Sequence, residues 1–345
     1  MSVARAIALG DPTALPSRRE EDWRWSDLRG LIRVLPPPSP PNLDPHPRGP
    51  FAGVADEEIL IVNGRGPDRI DVAAGDRRFI ALRFVAALDA GAHVARIAIE
   101  VGVDAQLILL ESYEGEGERY VVEADLTVTL RAGARLERIV LTHDSPEGVS
   151  VSIAKVRSGP ASRLAQTVLS GGARRQRIET RVDHPGSGAS VRLDGLYLLA
   201  DRRHSDITTE VIHDGVDGAT VQLTKGVVRD QARGVFQGRI IVRPGADRTD
   251  ARMGHHALVL SDRAEVDAKP ELEIYADDVS CAHGNTVGAL DEEALFYAEQ
   301  RGIPEGEARA MLTRAFVGEV VERIEHDGAR EIARAFVAEH VGARP

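Results

Sequence analysis

Residues 95–130, ARIAIEVGVDAQLILLESYEGEGERYVVEADLTVTL, contain three short runs in which apolar and polar residues alternate. The runs are ARIAIEV (95–101), QLILLESY (106–113) and ADLTVTL (124–130). Alternation of this kind, rich in valine, isoleucine, leucine and threonine, predicts half-buried β-strands. Similar runs continue from about residue 52 to residue 280 without a convincing helical pattern between them. The sequence therefore predicts a mainly β region and argues against folds with helical crossovers.

The strand-like runs recur with a longer period. A small turn residue precedes a strand at intervals of 27 to 30 residues, and these positions are Ala105, Ala134, Ala161, Ala189, Ala219 and Ala246. Self-similarity of this length indicates stacked repeats, and each repeat is too short for a four-stranded propeller blade. The pattern predicts a β-solenoid, in which every turn stacks its strands on the turn before it. A large β-sandwich with chance spacing is the alternative.

The regions on either side of the strands have a different character. Residues 1–34 predict a short, partly helical N-terminal segment with two tryptophans, and half of the residues in 35–50, LPPPSPPNLDPHPRGP, are proline. Such a segment is extended and semi-rigid, so we interpret it as a linker. It separates the N-terminal segment, here called the head, from the remainder of the chain. The predicted organisation is a β-solenoid core over 51–285, followed by a helical domain over 286–345.

The C-terminal region predicts three helices. Asp291 is a natural N-cap, Gly302 ends the first helix and Pro304 opens the second. An apolar stripe on the second helix comprises Ala308, Leu312, Ala315, Phe316 and Val320. A third helix is predicted over about 329–341. Such helices can cap the solenoid or bind a partner, and the residues proposed for partner binding are Asp291, Phe296, Tyr297, Leu312 and Phe316.

Composition narrows the classes of partner. The formal net charge of −11 argues against a nucleic-acid backbone or an anionic membrane as the main partner. A single cysteine excludes an internal disulfide framework and a cluster site built from this chain's thiolates alone. The first residues lack the apolar run of a signal peptide, and no stretch is long and apolar enough to span a bilayer. We therefore expect a cytoplasmic protein.

The only cysteine, Cys281, lies two residues before His283 in ELEIYADDVSCAHGNTVGALDEEALFY (271–297). Residues i and i+2 of a strand point to the same side, so the thiol and the imidazole could face one ligand. A thiolate and an imidazole could share one metal ion or one sulfur species. Two ligands do not close a tetrahedral site, so any metal needs further ligands from this chain or another. A buried cysteine beside a surface histidine is the purely structural alternative.

Other polar residues are weaker candidates. His255 and His256 are adjacent in a predicted strand and should face opposite ways, so they cannot both bind one ion without a bulge. These two, with His204 and His213, are interpreted as polar groups on a solenoid face. The sequence contains no phosphate-binding loop of the G-x-x-x-x-G-K-[ST] type and no G-x-S-x-G nucleophile elbow. We find no complete catalytic set and expect no enzymatic activity.

The stretch KPELEIYADDVSCAHGNTVGALDEEALFYAEQRGI (269–303) closely resembles the C-terminal signature of the SufD family, scaffold proteins of the SUF iron–sulfur cluster assembly system. KGVVRDQARGVFQGRIIV (225–242) and LPSRREEDWRWSDL (15–28) resemble other conserved parts of that family. SufB-like paralogues carry a Cys-Glu-His-Glu motif at this point, whereas this chain has Cys281-Ala282-His283-Gly284. The stretch 245–260 departs from the family's usual glutamine-bearing version, which puts any role of that stretch in doubt.

The resemblance implies a right-handed parallel β-helix flanked by helical N- and C-terminal regions. It also implies a complex with a SufB-like paralogue and a SufC-like ABC-type ATPase, with the ATPase bound to the C-terminal helices. The family residue expected at the site of nascent cluster assembly maps to His283, and Cys281 matches the accompanying cysteine, whose role is left open. The resemblance implies no tightly bound cofactor in the isolated chain, but a transient Fe–S cluster or iron at the SufB interface.

Two other functions are alternatives to this scaffold. One is a β-helix enzyme that acts on polysaccharides, but such enzymes line a groove with aromatic residues and carboxylates. This chain has only five tyrosines and two tryptophans. The other is a stand-alone metal or sulfur carrier that uses Cys281 and His283, for which a homodimer would have to bring two pairs together.

Overall fold

Seventeen β-strands wind into two parallel sheets in the computed structural model, which describes residues 2–42 and 44–341. The helices are α1 (Val3–Leu9), α2 (Glu292–Gln300), α3 (Glu305–Val321) and α4 (Asp327–Val341), and two short 3₁₀ turns follow α1. The strands are β1 (Glu57–Val62), β2 (Arg69–Val72), β3 (Arg77–Ala86), β4 (Ala92–Val101), β5 (Gln106–Gly115), β6 (Val121–Leu130), β7 (Arg135–His143), β8 (Val149–Arg157), β9 (Arg163–Ser170), β10 (Arg175–His184), β11 (Ser190–Leu199), β12 (His204–His213), β13 (Ala219–Val228), β14 (Arg233–Val242), β15 (Thr249–Val259), β16 (Glu265–Ile274) and β17 (Val279–Gly288).

Successive strands alternate between the two sheets. The nine odd-numbered strands form one sheet in chain order, here called the odd sheet, and the eight even-numbered strands form the even sheet. Every strand pairs in parallel with the strand one repeat away, so that Gln106 pairs with Arg135, Arg135 with Arg163, and Arg163 with Ser190. This stacking confirms the predicted parallel β-helix core and excludes the β-sandwich alternative.

The turns before the odd strands explain several of the periodic alanines. Asp104, Gly133 and Gly245 have φ of 54°, 68° and 82°, a left-handed conformation that aspartate and glycine tolerate best. Each is followed by an alanine whose methyl group is fully buried beneath the turn. Ala161 and Ala219 depart from this pattern because both are exposed. A left-handed residue followed by a buried alanine therefore sets the repeat at some turns. At the other turns the repeat follows from the register of the strands.

The core lies between the two sheets, in the lumen of the solenoid. It consists mainly of the inward-facing valine, leucine and isoleucine side chains of both sheets. The lumen also contains a buried ion pair, in which Arg138 on β7 donates to Glu111 on β5 at 2.6 and 2.8 Å. The hydroxyl of Tyr113 donates to Glu111, and Arg138 donates to the side-chain carbonyl of Gln166, so the buried charges are hydrogen-bonded on several sides.

The N-terminal head packs on the even sheet of the solenoid. Its apolar residues form a cluster with Val121, Val149 and Val151 of the even sheet. The guanidinium of Arg177 on β10 lies 4.5 Å from the Trp23 ring centroid and donates to the backbone carbonyl of Asp22. The proline-rich segment is also attached, since the Ser39 amide donates to the Ala92 carbonyl at 2.8 Å. The head covers part of the even sheet because its aromatic and apolar side chains pack on the valine side chains of that sheet.

The C-terminal helices cover the outer face of the odd sheet. Val317, Val320 and Phe336 pack with the outward-facing leucines and isoleucines of the strands. Asp291 is the N-cap of α2, as predicted, and Gly302 has a φ of 84° after that helix. The last strand ends at Gly288, three residues beyond the predicted core boundary. Ala315 of the predicted stripe is exposed because α3 buries Thr313 and Val317 instead.

Candidate functional site at the open end of the solenoid

The last turn of the solenoid ends in two free strand edges. Within residues 2–42 and 44–341, β17 pairs only with β15, and β16 pairs only with β14. No described strand stacks on this end, here called the open end, so one side of each edge strand has unpaired backbone groups. Ile274, Tyr275 and Val287 expose much of their apolar surface near these edges. A free edge with adjacent apolar side chains is a template for strand pairing with another chain.

Cys281 and His283 lie on the lumen side of β17. Strand register aligns Cys281 with Ala251 and His283 with Met253, and both of these β15 residues are buried in the lumen. The alternation of the strand therefore directs the thiol and the imidazole to one side, as the sequence predicts. Cys281 is half-buried, whereas His283 is exposed because no further turn lies above it. Burial raises the pKa of the Cys281 thiol, so a thiolate there needs a metal ion or a cationic neighbour.

His255 and His256 face opposite sides of the odd sheet, in agreement with the sequence. His255 is fully buried in the lumen, and its Nδ1 lies 2.7 Å from Oδ1 of Asn285, the next lumen-facing residue of β17 after His283. His256 faces outward, and its Nδ1 lies 2.7 Å from the Thr286 hydroxyl. Burial lowers the pKa of His255 to about 4, which keeps the imidazole neutral at physiological pH.

Three of the four candidate histidines are buried, which corrects their interpretation as surface groups. In addition to His255, His204 lies beneath the N-terminal head, where its Nε2 is 3.0 Å from the Trp25 carbonyl. His213 stacks on His184 with ring centroids 4.3 Å apart. Burial lowers the pKa of His204 well below its usual value and that of His213 to about 3. The neutral imidazoles of His204 and His213 are part of the packed interior.

The predicted partner-binding residues of the C-terminal helices divide into two groups. Phe296 and Tyr297 on α2 are 62% and 61% exposed. Leu312 and Phe316 are half-buried and pack within this chain, and Phe316 also contacts the ammonium group of Lys225 at 4.6 Å from its ring centroid. Asp291 caps α2 by accepting from the Glu293 and Ala294 amides. Of these five residues, Phe296 and Tyr297 therefore expose the most apolar surface.

The described part of the chain offers no complete metal site of its own. Residues 2–42 and 44–341 contain no group of three or more His, Cys, Asp or Glu side chains arranged to hold a metal ion. A metal ion at the open end would therefore be bound by two side chains of this chain, Cys281 and His283. Its remaining ligands would have to come from another molecule. Among the same residues, none of the helices has the length and apolarity needed to cross a membrane.

Asn285 is the residue of this site that sequence reasoning overlooked. It follows Cys281 and His283 at the same spacing of two residues, so strand alternation alone put it on the same side. Its hydrogen bond to His255 depends on the pairing of β15 with β17, two segments that are distant in sequence. The spacing was visible beforehand, but the contact was not.

Comparison with known proteins identifies the family. Residues 84–316 match the SufBD core domain of the SUF system of FeS cluster assembly. The chain is 28% identical to the iron–sulfur cluster assembly protein SufD of Escherichia coli, over 96% of this chain and 91% of that protein. It is 27% identical to a SufBD family protein of Mycobacterium leprae, over 93% of this chain and 89% of the relative. SufD of Bacillus subtilis is 34% identical over 36% of this chain and 29% of its own length.

The matched region includes the solenoid from the end of β3 onward, both edge strands of the open end and most of α3. The two residues singled out from the sequence, Cys281 and His283, lie inside it. The chain therefore belongs to the SufBD core family of the SUF iron–sulfur cluster assembly system, and within that family it resembles SufD.

Proposed function

We propose that this chain is a non-catalytic scaffold subunit for iron–sulfur cluster assembly. His283 would bind iron or the nascent cluster at the open end, with Cys281 in an accessory role. A SufB-like paralogue would stack on the same end, and a SufC-like ATPase would bind the C-terminal helices. The cluster is cargo in this proposal, and the chain has no tightly bound cofactor of its own. The cytoplasm, where thiols stay reduced, is the proposed place of action.

The exposed imidazole of His283 on a free edge strand is the observation that carries the proposal. Imidazole is a suitable ligand for iron. A histidine that faces the lumen of a solenoid would ordinarily be buried by the next turn, as His255 is on β15. His283 is exposed only because the solenoid stops at β17, so a second chain that continues the stack would enclose it.

The shortage of ligands supports a shared site. Iron–sulfur clusters are usually held by several thiolates, and this chain has one cysteine. The pKa of Cys281 is raised by burial, so its thiol is a poor ligand until metal binding removes the proton. A partner that supplies thiolates would complete the site, while the free edges of β16 and β17 would provide main-chain hydrogen bonds to that partner.

The test is anaerobic purification of the complex after co-expression with the SufB-like and SufC-like partners. We expect His283→Ala to lose most of the bound iron and sulfide while the complex stays intact by size-exclusion chromatography. His143→Ala, which removes an exposed histidine at the end of β7, is the matched control and should keep the wild-type content. Unchanged iron and sulfide in His283→Ala would overturn the role of His283 in the cluster site.

A second experiment tests whether the SufB-like partner binds the edge strands of the open end. Val287 is 47% exposed on β17, so Val287→Asp adds a charge to the surface where a partner strand would lie. We expect this variant to fold but to lose association with the SufB-like partner. A wild-type chain that forms a homodimer through this edge, and does not exchange into the heterodimer when the partner is added, would contradict the proposed pairing.

The aromatic pair on α2 supports the proposed ATPase contact. Phe296 and Tyr297 expose most of their ring surface, and large exposed aromatic residues are typical anchors of protein interfaces. We expect Phe296→Asp to weaken co-purification of the ATPase without loss of the SufB-like partner. Leu9→Asp, at a residue of α1 that is 61% exposed, is the matched control. Equal retention of the ATPase by both variants would remove α2 from the proposal.

A further inference from the structure

Three polar side chains form a row on the lumen side of the odd sheet and end at the open end: Tyr197 on β11, His255 on β15 and Asn285 on β17. The phenol oxygen of Tyr197 lies 2.9 Å from Nε2 of His255, and Nδ1 of His255 lies 2.7 Å from Oδ1 of Asn285. Tyr197 reaches across β13 because Gly226 has no side chain. A Cβ at Gly226 would lie 1.9 Å from Cζ of Tyr197.

Hydrogen-bond satisfaction decides which atoms of this row donate. The hydroxyl of buried Tyr197 has His255 as its only hydrogen-bond partner among the described residues, so its proton is satisfied only if it donates to Nε2. A neutral imidazole that accepts at Nε2 has its proton on Nδ1. That N–H then donates to Asn285, which must present its carbonyl oxygen to His255. The row therefore holds the carboxamide of Asn285 in one orientation.

The fixed orientation leaves the amino group of Asn285 available. Within residues 2–42 and 44–341, no hydrogen-bond acceptor contacts its NH₂ group, and the side chain is exposed at the open end. Asn285 and His283 lie on the same side of β17, roughly 6.6 Å apart along the strand. Two uncharged N–H donors are thus held beside the proposed iron ligand.

We propose that Asn285 donates an N–H hydrogen bond to sulfur bound beside His283, and that His255 is the positioning residue that orients it. This inference rests on the proposed function, since it assigns a donor to the cluster or sulfide held there. Anionic sulfur accepts hydrogen bonds, and such bonds to cluster sulfurs make reduction easier. An uncharged amide supplies this stabilisation without competing with iron for the sulfur.

Two variants of Asn285 separate its donors from its contact with His255. Asn285→Asp keeps an oxygen that accepts from His255 but has no N–H, whereas Asn285→Ala removes both. In the anaerobic complex we expect both variants to bind a cluster at first, with a more negative reduction potential than wild type. We also expect a chelator such as bathophenanthroline to remove iron roughly tenfold faster.

His255 variants test the positioning role by the same readouts. His255→Phe removes the bond to Asn285 and should shift the potential in the same direction. His255→Gln can accept from Tyr197 and donate to Asn285, so it should restore the wild-type potential. His256→Phe and Thr286→Val remove the equivalent hydrogen bond on the outer face and should change neither measurement.

The outcomes distinguish this inference from the proposed function. A shift in Asn285→Asp without one in Asn285→Ala would indicate an effect of added charge and would overturn the donor role. A shift in Asn285→Ala alone would indicate a purely structural contact with His255 and would also overturn it. If His283→Ala loses the cluster while both Asn285 variants retain the wild-type potential and iron-release rate, the inference fails and the proposed function stands. If His283→Ala retains the cluster, the proposed function itself fails.

Discussion

Arg138 in a middle turn and His283 in the last turn occupy the same inward-facing column of the odd sheet. Successive strand pairings connect them through Gln166, Leu193, Gln222 and Met253. Arg138 is fully buried and makes three hydrogen bonds to Glu111 and Gln166, whereas His283 is exposed. Strand length and alternation are similar in both places, so the difference comes from whether another turn lies above the residue.

This comparison teaches that polar groups in the lumen have two kinds of consequence. In a middle turn Arg138 is paired inside the chain, and removing it leaves the buried carboxylate of Glu111 without compensation. At the open end they are left for another molecule, and removing one should affect binding more than folding.

Arg138→Ala should lower the free energy of unfolding by about 3–5 kcal/mol, because it leaves the buried Glu111 carboxylate without its cation. Urea denaturation followed by circular dichroism measures this change. Arg96→Ala is the control, since Arg96 is exposed and lies 3.7 Å from the Asp125 carboxylate. That variant should lose no more than about 1 kcal/mol. Equal losses in the two variants would break the distinction between paired lumen charges and surface charges.

Asp194 should make stability depend on pH. It is buried on β11, near Arg192, Arg323 and Glu319, and burial raises its pKa from 3.8 to about 6 despite the two arginines. The folded state therefore holds a proton that the unfolded state has released between about pH 4 and pH 6. Stability falls as the pH rises through this window, by up to about 3 kcal/mol from this group.

Asp194→Asn tests this dependence because it removes the titrating carboxyl from the outer face of the odd sheet. Urea midpoints of the variant and of wild type, measured across the same pH window, should diverge as the pH rises, with the wild type losing more stability. Parallel pH profiles would show that the neighbouring arginines compensate fully for burial.

Gly226→Ala should cost about 1–3 kcal/mol because its methyl group would overlap the Tyr197 ring. The same change should displace Tyr197 from His255 and so loosen Asn285 at the open end. Thermal unfolding gives the stability, and nitrogen-15 NMR of the His255 imidazole reports its tautomer. If the variant is destabilised but the His255 tautomer is unchanged, the packing of Tyr197 does not control the orientation of Asn285 in the last turn.

His283→Ala should change the free energy of unfolding by less than about 0.5 kcal/mol, because the imidazole is exposed and makes no packed contact above it. Met253→Ala, one strand below in the same column, removes a buried side chain and should cost about 2–5 kcal/mol. Both are measured by urea denaturation of the isolated chain. A large loss in His283→Ala would mean that the last turn is stabilised internally like the middle turns.

Local sequence patterns predicted the strands and the helices at the C-terminus. They also predicted that Cys281 and His283 lie on the same side of β17. Strands, helix ends and turns depend on alternation, capping and turn residues that lie close together in the sequence. Long-range contacts change these local features little. The sequence did not reveal that the head packs on the even sheet or that His204 and His213 are buried. Those outcomes depend on contacts between residues far apart in the chain, such as His204 with Trp25.

Turn residues and strand alternation are local properties of the sequence, so they predict the repeat and a β-solenoid, and the 269–303 signature implies the family and its parallel β-helix. Only the tertiary structure decided which lumen-facing residues are buried and which remain available. His255 and His283 are both histidines on lumen-facing positions of neighbouring odd strands. One is enclosed and the other is exposed because burial depends on the next layer of the fold, and no strand among residues 2–42 and 44–341 lies above β17.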